Sequence, residues 1–235
     1  MAVLVIVFIA DFCTAPRVAV PAVAPGTEFK NPRAWFNPLV CVLVLAHLLL
    51  NIAPVETATT FGGMYLTTPS VGIIKSILAF GTLIVLIQAR EWLNRPDTFF
   101  KEGEFYVLIL STLLGMNMMV SANHFLLFFL GLEMASVPMA CLVALDKYRH
   151  NSAEAGAKFI LTATFSSGVM LFGISLLYAA VGTLYFDDVA TKISATPLTI
   201  VGMVFFFSGL GFKISLVPFH FWTADTYQGA PTTVT

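Results

Sequence analysis

A glutamate and a lysine lie deep inside two long apolar stretches of the 235-residue chain. Glu133 comes nine residues into one stretch, which at about 1.5 Å per residue places it about 13 Å deep in a bilayer. Lys213 comes fifteen residues into another. Because charges at such depth cost about 2.5–3.5 kcal/mol, they are expected to be paired and functional. A lysine beside a carboxylate is typical of a switchable proton carrier. Two alternatives stay open: a protonated Glu133 that serves packing alone, and a Lys213 that extends to the membrane surface.

Two further lysines lie within apolar windows but closer to their ends. Lys158 follows Glu154 by four residues, the favourable order for a helical ion pair. It is a candidate for proton translocation, although its side chain also has the length to reach the membrane surface. Lys75 lies near the end of its window, and we expect it to extend to the outer surface.

Pro218 follows Lys213 by five residues and predicts a break in the helix that carries the lysine. Irregular backbone at membrane depth is found where protein or water covers it, and transporters use such interruptions as sites. His220 lies on the irregular stretch and suits a proton relay, or alternatively bonds a carbonyl freed by the break. Asp225 is expected to cap the break.

The elements that must position these residues are membrane helices. Hydrophobic residues make up 58% of the chain and charged residues 11%, against about 25% charged in soluble domains. None of the apolar runs alternates as barrel strands do. The sequence predicts an all-α, polytopic transmembrane helix bundle of about seven helices, near residues 1–14, 37–53, 70–89, 104–121, 124–145, 156–181 and 198–221.

The basic residues predict the orientation of these helices. Alternate loops are rich in lysine and arginine, whereas the remaining loops hold only Lys192. The positive-inside rule therefore places the N-terminus outside and the basic loops in the cytoplasm. The basic-loop residues are Arg17, Lys30, Arg33, Arg90, Arg95, Lys101, Lys147 and Arg149.

Other kinds of chemistry find little support in the sequence. The net charge of −1 gives no basic field for nucleic acid. The cysteines Cys13, Cys41 and Cys141 form no C-x-x-C motif and are interpreted as small apolar residues. Glycine-rich nucleotide loops, metal-binding H-E-x-x-H and hydrolase motifs do not occur. We therefore expect no cofactor and no metal in this chain.

Three motifs in register resemble the antiporter-like membrane subunits of respiratory complex I, the NADH:quinone oxidoreductase. They are LGLEMASVP, EAGAKFILTATFSSG and GLGFKISLVPFHFWTADTYQGAP, and the resemblance extends over about residues 37–235. The PFHFW segment is shared with the wider family, which includes Mrp-type cation antiporters. The continuation through Tyr227, Gln228 and Gly229 favours one of three sister branches.

The resemblance implies a role for each matching position. Glu133 and Lys213 would form a buried pair, Lys158 would lie beside them, and Pro218 would mark the broken helix. Family members have about fourteen helices with two inverted five-helix repeats. Residues 1–103 would then hold three leading helices, and 104–235 an incomplete first repeat (helices 4–7), so we expect an N-terminal fragment.

The function implied is proton translocation in the bacterial inner membrane, coupled to quinone reduction. NADH, flavin, iron–sulfur clusters and quinone are then expected in partner subunits, and the partners are the other membrane subunits of the complex and the lipid bilayer. Two alternatives stay open: a subunit of an Mrp-type cation/proton antiporter, and a purely structural subunit.

Overall fold

The computed structural model describes residues 1–14, 33–52, 56–96, 98–146 and 149–235. Arg17, Lys30 and Lys147, which entered the orientation argument, lie outside these ranges. The described part contains nine α-helices: α1 Ala2–Thr14, α2 Phe36–Ile52, α3 Pro69–Leu93, α4 Glu102–Val120, α5 Phe125–Val143, α6 His150–Val181, α7 Phe186–Lys192, α8 Pro197–Lys213 and α9 Phe221–Gly229. It also contains a hairpin of β1 Ala58–Thr60 and β2 Tyr65–Thr67.

The helical bundle confirms the predicted fold class. By length and composition, α3, α5, α6 and α4 with the 3₁₀ turn before it are able to cross a membrane, and α1, α2 and α8 are shorter apolar helices. Seven helices thus match the seven predicted windows. The seventh window divides into α8 and α9, because the helix ends at Lys213 and restarts at Phe221. The predicted break near Pro218 is confirmed.

Local chemistry sets several helix ends. Thr68 and Thr196 each accept a hydrogen bond from a backbone N–H three residues later, and each is followed by proline at the first helical position. Gly182 ends α6 in a left-handed conformation (φ 78°) that glycine adopts without steric cost. Because α6 already begins at His150, Lys158 lies more than two turns inside the helix rather than near its start.

Two hydrophobic clusters form the core. The first joins α1–α4 around Phe36, Leu86 and Tyr106, and the second joins α5, α6 and α8 around Met170 and Phe206. Helices α4 and α5 connect them through close backbone contact at a pair of facing glycines. A Cβ on Gly115 would lie 2.4 Å from the backbone nitrogen of Ala135, and one on Gly131 would lie 2.6 Å from that of Met119. Only glycine fits this crossing.

Main-chain hydrogen bonds join the loops at one end of the bundle, which we call the hairpin end. The backbone of Leu66 in β2 donates to Ser121 at 2.8 Å, and Asn123 donates to Met64 at 2.8 Å. The adjoining loop is tied in as well, since Phe125 donates to Leu184 at 3.0 Å. The hairpin, the α4–α5 turn and the α6–α7 connection therefore form one backbone-bonded layer.

His124 belongs to this layer and caps α5. Its Nδ1 accepts from the backbone N–H of Leu126 at 3.2 Å, and its ring meets that of Tyr185 edge-on at 4.8 Å. Burial lowers the pKa of His124, which favours the neutral imidazole that this cap requires.

Ion pairs dominate the opposite end, which we call the break end because it contains the α8–α9 interruption. Arg33 lies 2.6 Å from Asp11 at the end of α1. Lys101 lies 2.9 Å from Asp146 after α5, and Arg149 lies 3.0 Å from the same carboxylate. Basic residues that served only to predict orientation thus also hold helix ends together.

Candidate functional site

Glu133 and Lys213 meet inside the second core cluster, although 80 residues separate them. Lys213 Nζ lies 3.1 Å from Glu133 Oε1. The lysine side chain is 11% exposed and the glutamate side chain 27%. The structure thus brings together the two residues that the family resemblance pairs, and both side chains are directed to each other.

Two serines complete the pair. Ser136 lies one turn after Glu133 on α5; its hydroxyl accepts from Lys213 Nζ at 3.1 Å and donates to the carbonyl of Leu132 at 2.6 Å. Ser167 on α6 donates a short hydrogen bond to Glu133 Oε1. Three helices therefore converge on one ion pair.

The break positions the lysine. Lys213 is the last residue of α8, and the following turn includes Ser215 at φ 56°. The carbonyl of Phe212 accepts from the backbone N–H of Ser215 in this turn and from the indole N–H of Trp222 in α9, each at 3.2 Å. Lys213 therefore lies at the junction where the end of α8 is hydrogen-bonded to the start of α9.

A cavity of about 360 Å³ adjoins the pair and is lined in part by Ser136, Thr162, Ser166 and Lys213. At about 30 Å³ per water molecule it has room for roughly a dozen waters. Ser166 is fully buried, and its hydroxyl has no hydrogen-bond partner among the described residues. An unpartnered hydroxyl at a cavity of this size is expected to bind water.

Lys158 lies in a second cluster and not beside the pair. Its Nζ lies 2.6 Å from Asp225 Oδ2 on α9 and 2.9 Å from Glu154 Oε1 on α6. The predicted pairing with Glu154 is confirmed, whereas the adjacency to Glu133 that the family resemblance implied is not found. Asp225 binds this lysine instead of capping the break.

The two clusters lie at different depths along α6. Ser167 follows Lys158 by nine residues, which is about 14 Å of helix. The Lys158 cluster is nearer the break end and lines a polar pocket of about 210 Å³, together with Asn151 and Gln228. The arrangement places two clusters of charged side chains at successive depths along α6.

His220 is not part of either cluster in this structure. It lies at the start of α9, exposed and stacked on the ring of Phe221 at 4.6 Å. A relay role for His220 stays a prediction.

Lys75 does not lie where the sequence predicted it. It was expected to reach the outer surface, but it is 7% exposed, and its Nζ donates to the hydroxyl of Tyr65 in the hairpin at 2.8 Å. The hairpin was not predicted, so the group that holds this lysine was not predicted either.

Sequence reasoning missed Ser136, Ser167 and the role of Asp225. Ser136 follows Glu133 by three residues, so helical spacing alone places the two on one face. No comparable spacing relates Ser167 to Glu133 or Asp225 to Lys158, because these contacts join separate helices.

Comparisons with known proteins indicate the family. Residues 122–235 match the family described as NADH:quinone oxidoreductase/Mrp antiporter, transmembrane. The chain is 62% identical over 210 residues to NADH-quinone oxidoreductase subunit N of Phocaeicola vulgatus, covering 89% of this chain and 43% of that protein. It is 44% identical over 238 residues to subunit N of Azobacteroides pseudotrichonymphae, covering 100% of this chain and 46% of that protein. Subunit N is the branch that the Tyr227-Gln228-Gly229 continuation favours over the sister subunits L and M.

Solved structures show the same architecture. Respiratory complex I from Thermus thermophilus with bound aureothin matches with a TM-score of 0.73 and 29% identity, over 99% of this chain and 48% of that one. The archaeal membrane-bound sulfane sulfur reductase matches with a TM-score of 0.70 at 21% identity, a likeness of fold alone. The chain spans just under half the length of the relatives that it matches.

Proposed function

Because the chain belongs to the membrane-subunit family that NADH:quinone oxidoreductases share with Mrp antiporters, we propose that it is a proton-translocating subunit of an NADH:quinone oxidoreductase. The observation that carries the proposal is the contact of 3.1 Å between Lys213 and Glu133. Replacing either residue in the full-length, assembled protein tests it, with protons translocated per quinone reduced as the measurement.

The pair acts as a proton switch in this proposal. While Glu133 is ionised and close, Lys213 keeps its proton, since the carboxylate stabilises the ammonium. When charges in a neighbouring subunit move and weaken the contact, burial favours the neutral amine and the proton leaves. The adjoining cavity provides water to receive it. Both residues regain their starting state when a new proton arrives.

The Lys158 cluster supplies the new proton from the break end. Lys158 lies about 14 Å nearer that end along α6 than Ser167, and it is half-exposed beside Asp225 and Glu154. Because α9 carries Asp225 and follows directly on the turn after Lys213, displacement of α9 changes both clusters together. The break thus couples proton uptake to proton release.

An Asp225→Asn substitution tests the uptake step. It removes a carboxylate 2.6 Å from Lys158 Nζ but keeps the side-chain shape. Asp225 is one of two carboxylates that hold the Lys158 ammonium, and an exposed ion pair of this kind is weak, so turnover of proton translocation is expected to fall by a few-fold. Steady-state proton pumping by membranes that contain the assembled variant is the measurement.

The matched control for this experiment is Asp188→Asn on α7. That change removes a carboxylate 4.0 Å from Lys192 in a similarly exposed pair at the hairpin end. It is expected to leave turnover unchanged. Equal rates for Asp225→Asn and wild type would contradict an uptake role for the Lys158 cluster.

The second candidate function is a subunit of an Mrp-type cation/proton antiporter, because the matching family includes both classes. The buried pair would serve that function as well. The names of the two relatives described above favour the first candidate. Sodium transport without any loss of quinone reduction in a deletion strain would favour the second.

The remaining assignments follow from the first candidate. The chain is a subunit of a translocase whose NADH, flavin, iron–sulfur clusters and quinone are bound by partner subunits. It contacts other membrane subunits of the complex and the lipid bilayer. Residues 1–103 supply leading helices, and 104–235 belong to the first repeat. The chain lies in the bacterial inner membrane, with the hairpin end outside and the break end in the cytoplasm.

Cysteine labelling tests this orientation. Cys13 at the end of α1 and Cys141 at the end of α5 are both exposed and lie toward the break end. A membrane-impermeant maleimide is therefore expected to modify them only after cells are permeabilised. In a cysteine-free chain, Lys192→Cys on α7 is expected to react in intact cells. Labelling of Cys13 and Cys141 in intact cells would contradict this orientation and would place the break end outside.

A further inference from the structure

A polar cavity lies at the hairpin end of the leading helices, apart from both proton-binding clusters. Its volume is about 180 Å³, and α1, α2, α4, β2 and α3 all contribute to its wall. The polar residues among its lining are His47, Asn51, Tyr65, Lys75 and Asn117. All of them precede the region 122–235 that matches the antiporter family.

Lys75 brings a positive charge into this cavity. The residue is 7% exposed, and its Nζ donates to Tyr65 Oη at 2.8 Å. Burial raises the pKa of Tyr65, but hydrogen bonds from Lys75 and Ser121 and the positive charge of Lys75 together outweigh it and lower that pKa. Among the described residues, no carboxylate lies within ion-pair distance of Lys75. A buried ammonium without a counter-charge is costly, so a compensating anion is expected.

Met1 and further polar side chains complete the wall. Asn51 Nδ2 and His47 Nε2 lie 3.1 Å apart. Asn117 is 9% exposed, and its buried side-chain oxygen has no hydrogen-bond partner among the described residues. Since the oxygen and nitrogen of a carboxamide are assigned from their surroundings, Asn117 is able to present an N–H₂ donor to a ligand. A buried side-chain oxygen or nitrogen without a partner among the described residues indicates that another group bonds it in this cavity.

We propose that this cavity binds a small monovalent anion of the halide class, held by the Lys75 ammonium and the Asn117 amide. The volume corresponds to roughly six water molecules and is below the 300–1,000 Å³ typical of sites for larger organic ligands. An anion with a few waters fits it, whereas a lipid chain does not. The bound anion neutralises Lys75 and stabilises the packing of α1–α4.

Bromide is the probe for this site, because its anomalous scattering locates it directly. Crystals of the full-length protein soaked in bromide are expected to show a peak beside Lys75 Nζ. In solution, replacing gluconate by bromide at constant ionic strength is expected to raise the Tm, since a ligand that binds only the folded state stabilises it.

Two variants separate this proposal from nonspecific salt effects. Lys75→Met removes the charge, and Asn117→Asp supplies a fixed carboxylate in the cavity; both are expected to lose the bromide-dependent rise in Tm and the anomalous peak. The control Lys192→Met, at an exposed lysine of α7, is expected to keep both. If Lys75→Met fails to fold, Asn117→Asp alone tests the proposal, because its carboxylate supplies a counter-charge for Lys75.

Absence of a peak at Lys75, or the same bromide response in wild type and Asn117→Asp, overturns the proposal. Water alone in the cavity would give that result. The outcome is independent of the proposed proton path, because neither variant touches Glu133, Lys213 or Lys158.

Discussion

A Lys213→Met variant that assembles normally is expected to lose proton translocation about tenfold or more, the scale on which a positioned proton-transfer group contributes to turnover. Methionine keeps the length of the side chain but has no proton to carry. Glu133 then loses a partner at 3.1 Å, so the carboxylate keeps only its serine hydrogen bond. Proton flux into inverted membrane vesicles, divided by the rate of quinone reduction, is the measurement.

Stability must be separated from mechanism in this experiment. Removing one member of a buried pair leaves an uncompensated charge, at a cost of about 3–5 kcal/mol. The double variant Lys213→Met/Glu133→Gln leaves no such charge and is expected to assemble better than Lys213→Met alone. It is nevertheless expected to remain inactive. Unchanged pumping by the assembled double variant would show that the pair serves packing, as a purely structural subunit requires.

The second large effect is expected from a single methyl group at Gly173. A Cβ there would lie 2.4 Å from the backbone nitrogen of Phe206 on α8, too close for any side-chain adjustment to relieve. Gly173→Ala therefore forces α6 and α8 apart, and overpacking of this kind costs about 1–3 kcal/mol or more. The abundance of folded, full-length protein in detergent-solubilised membranes is expected to fall sharply.

Gly168→Ala on the same helix is the matched control. A Cβ at Gly168 meets nothing within 4 Å, and alanine is favoured over glycine in a helix by about 1 kcal/mol. This variant is expected to be as abundant as wild type or more so. The two identical substitutions, five residues apart, should thus change stability in opposite directions. Equal abundance of both would contradict the observed crossing of α6 and α8.

Sequence reasoning was most successful for residues whose chemistry is unfavourable in their surroundings. A charge in an apolar helix demands a partner, which made it predictable that Glu133 and Lys213 would each be paired. That they pair with each other, across 80 residues, was implied by the family resemblance. A proline inside a helix removes a hydrogen bond, which made the break predictable. Both arguments need only the free energy of a group in the wrong environment.

The misses share one physical cause, since each depends on how separate elements pack. Lys158 contacts Asp225 because α9 folds back against α6, and a pattern within either helix does not encode that approach. Lys75 is buried because a short hairpin lies over it. The sequence signal available for that hairpin was the glycine pair of the Phe61–Gly63 turn, between the two short strands. Both Gly62 and Gly63 adopt a positive φ there.

The two ends of the bundle should respond differently to the solvent. The exposed ion pairs at the break end, such as those of Lys158, are weakened by added salt, because dissolved ions screen charges that water reaches. The pairs of Arg33 and Lys101, whose side chains are 5% exposed, are screened much less. The hairpin end is joined instead by main-chain hydrogen bonds such as Leu66 to Ser121 and Asn123 to Met64, which carry no net charge and do not depend on the identity of a side chain. The hairpin layer should therefore tolerate high ionic strength and substitution of its exposed side chains, except at Gly62 and Gly63, whose positive φ favours glycine. Most of its surface is then free to vary in sequence while its shape is kept.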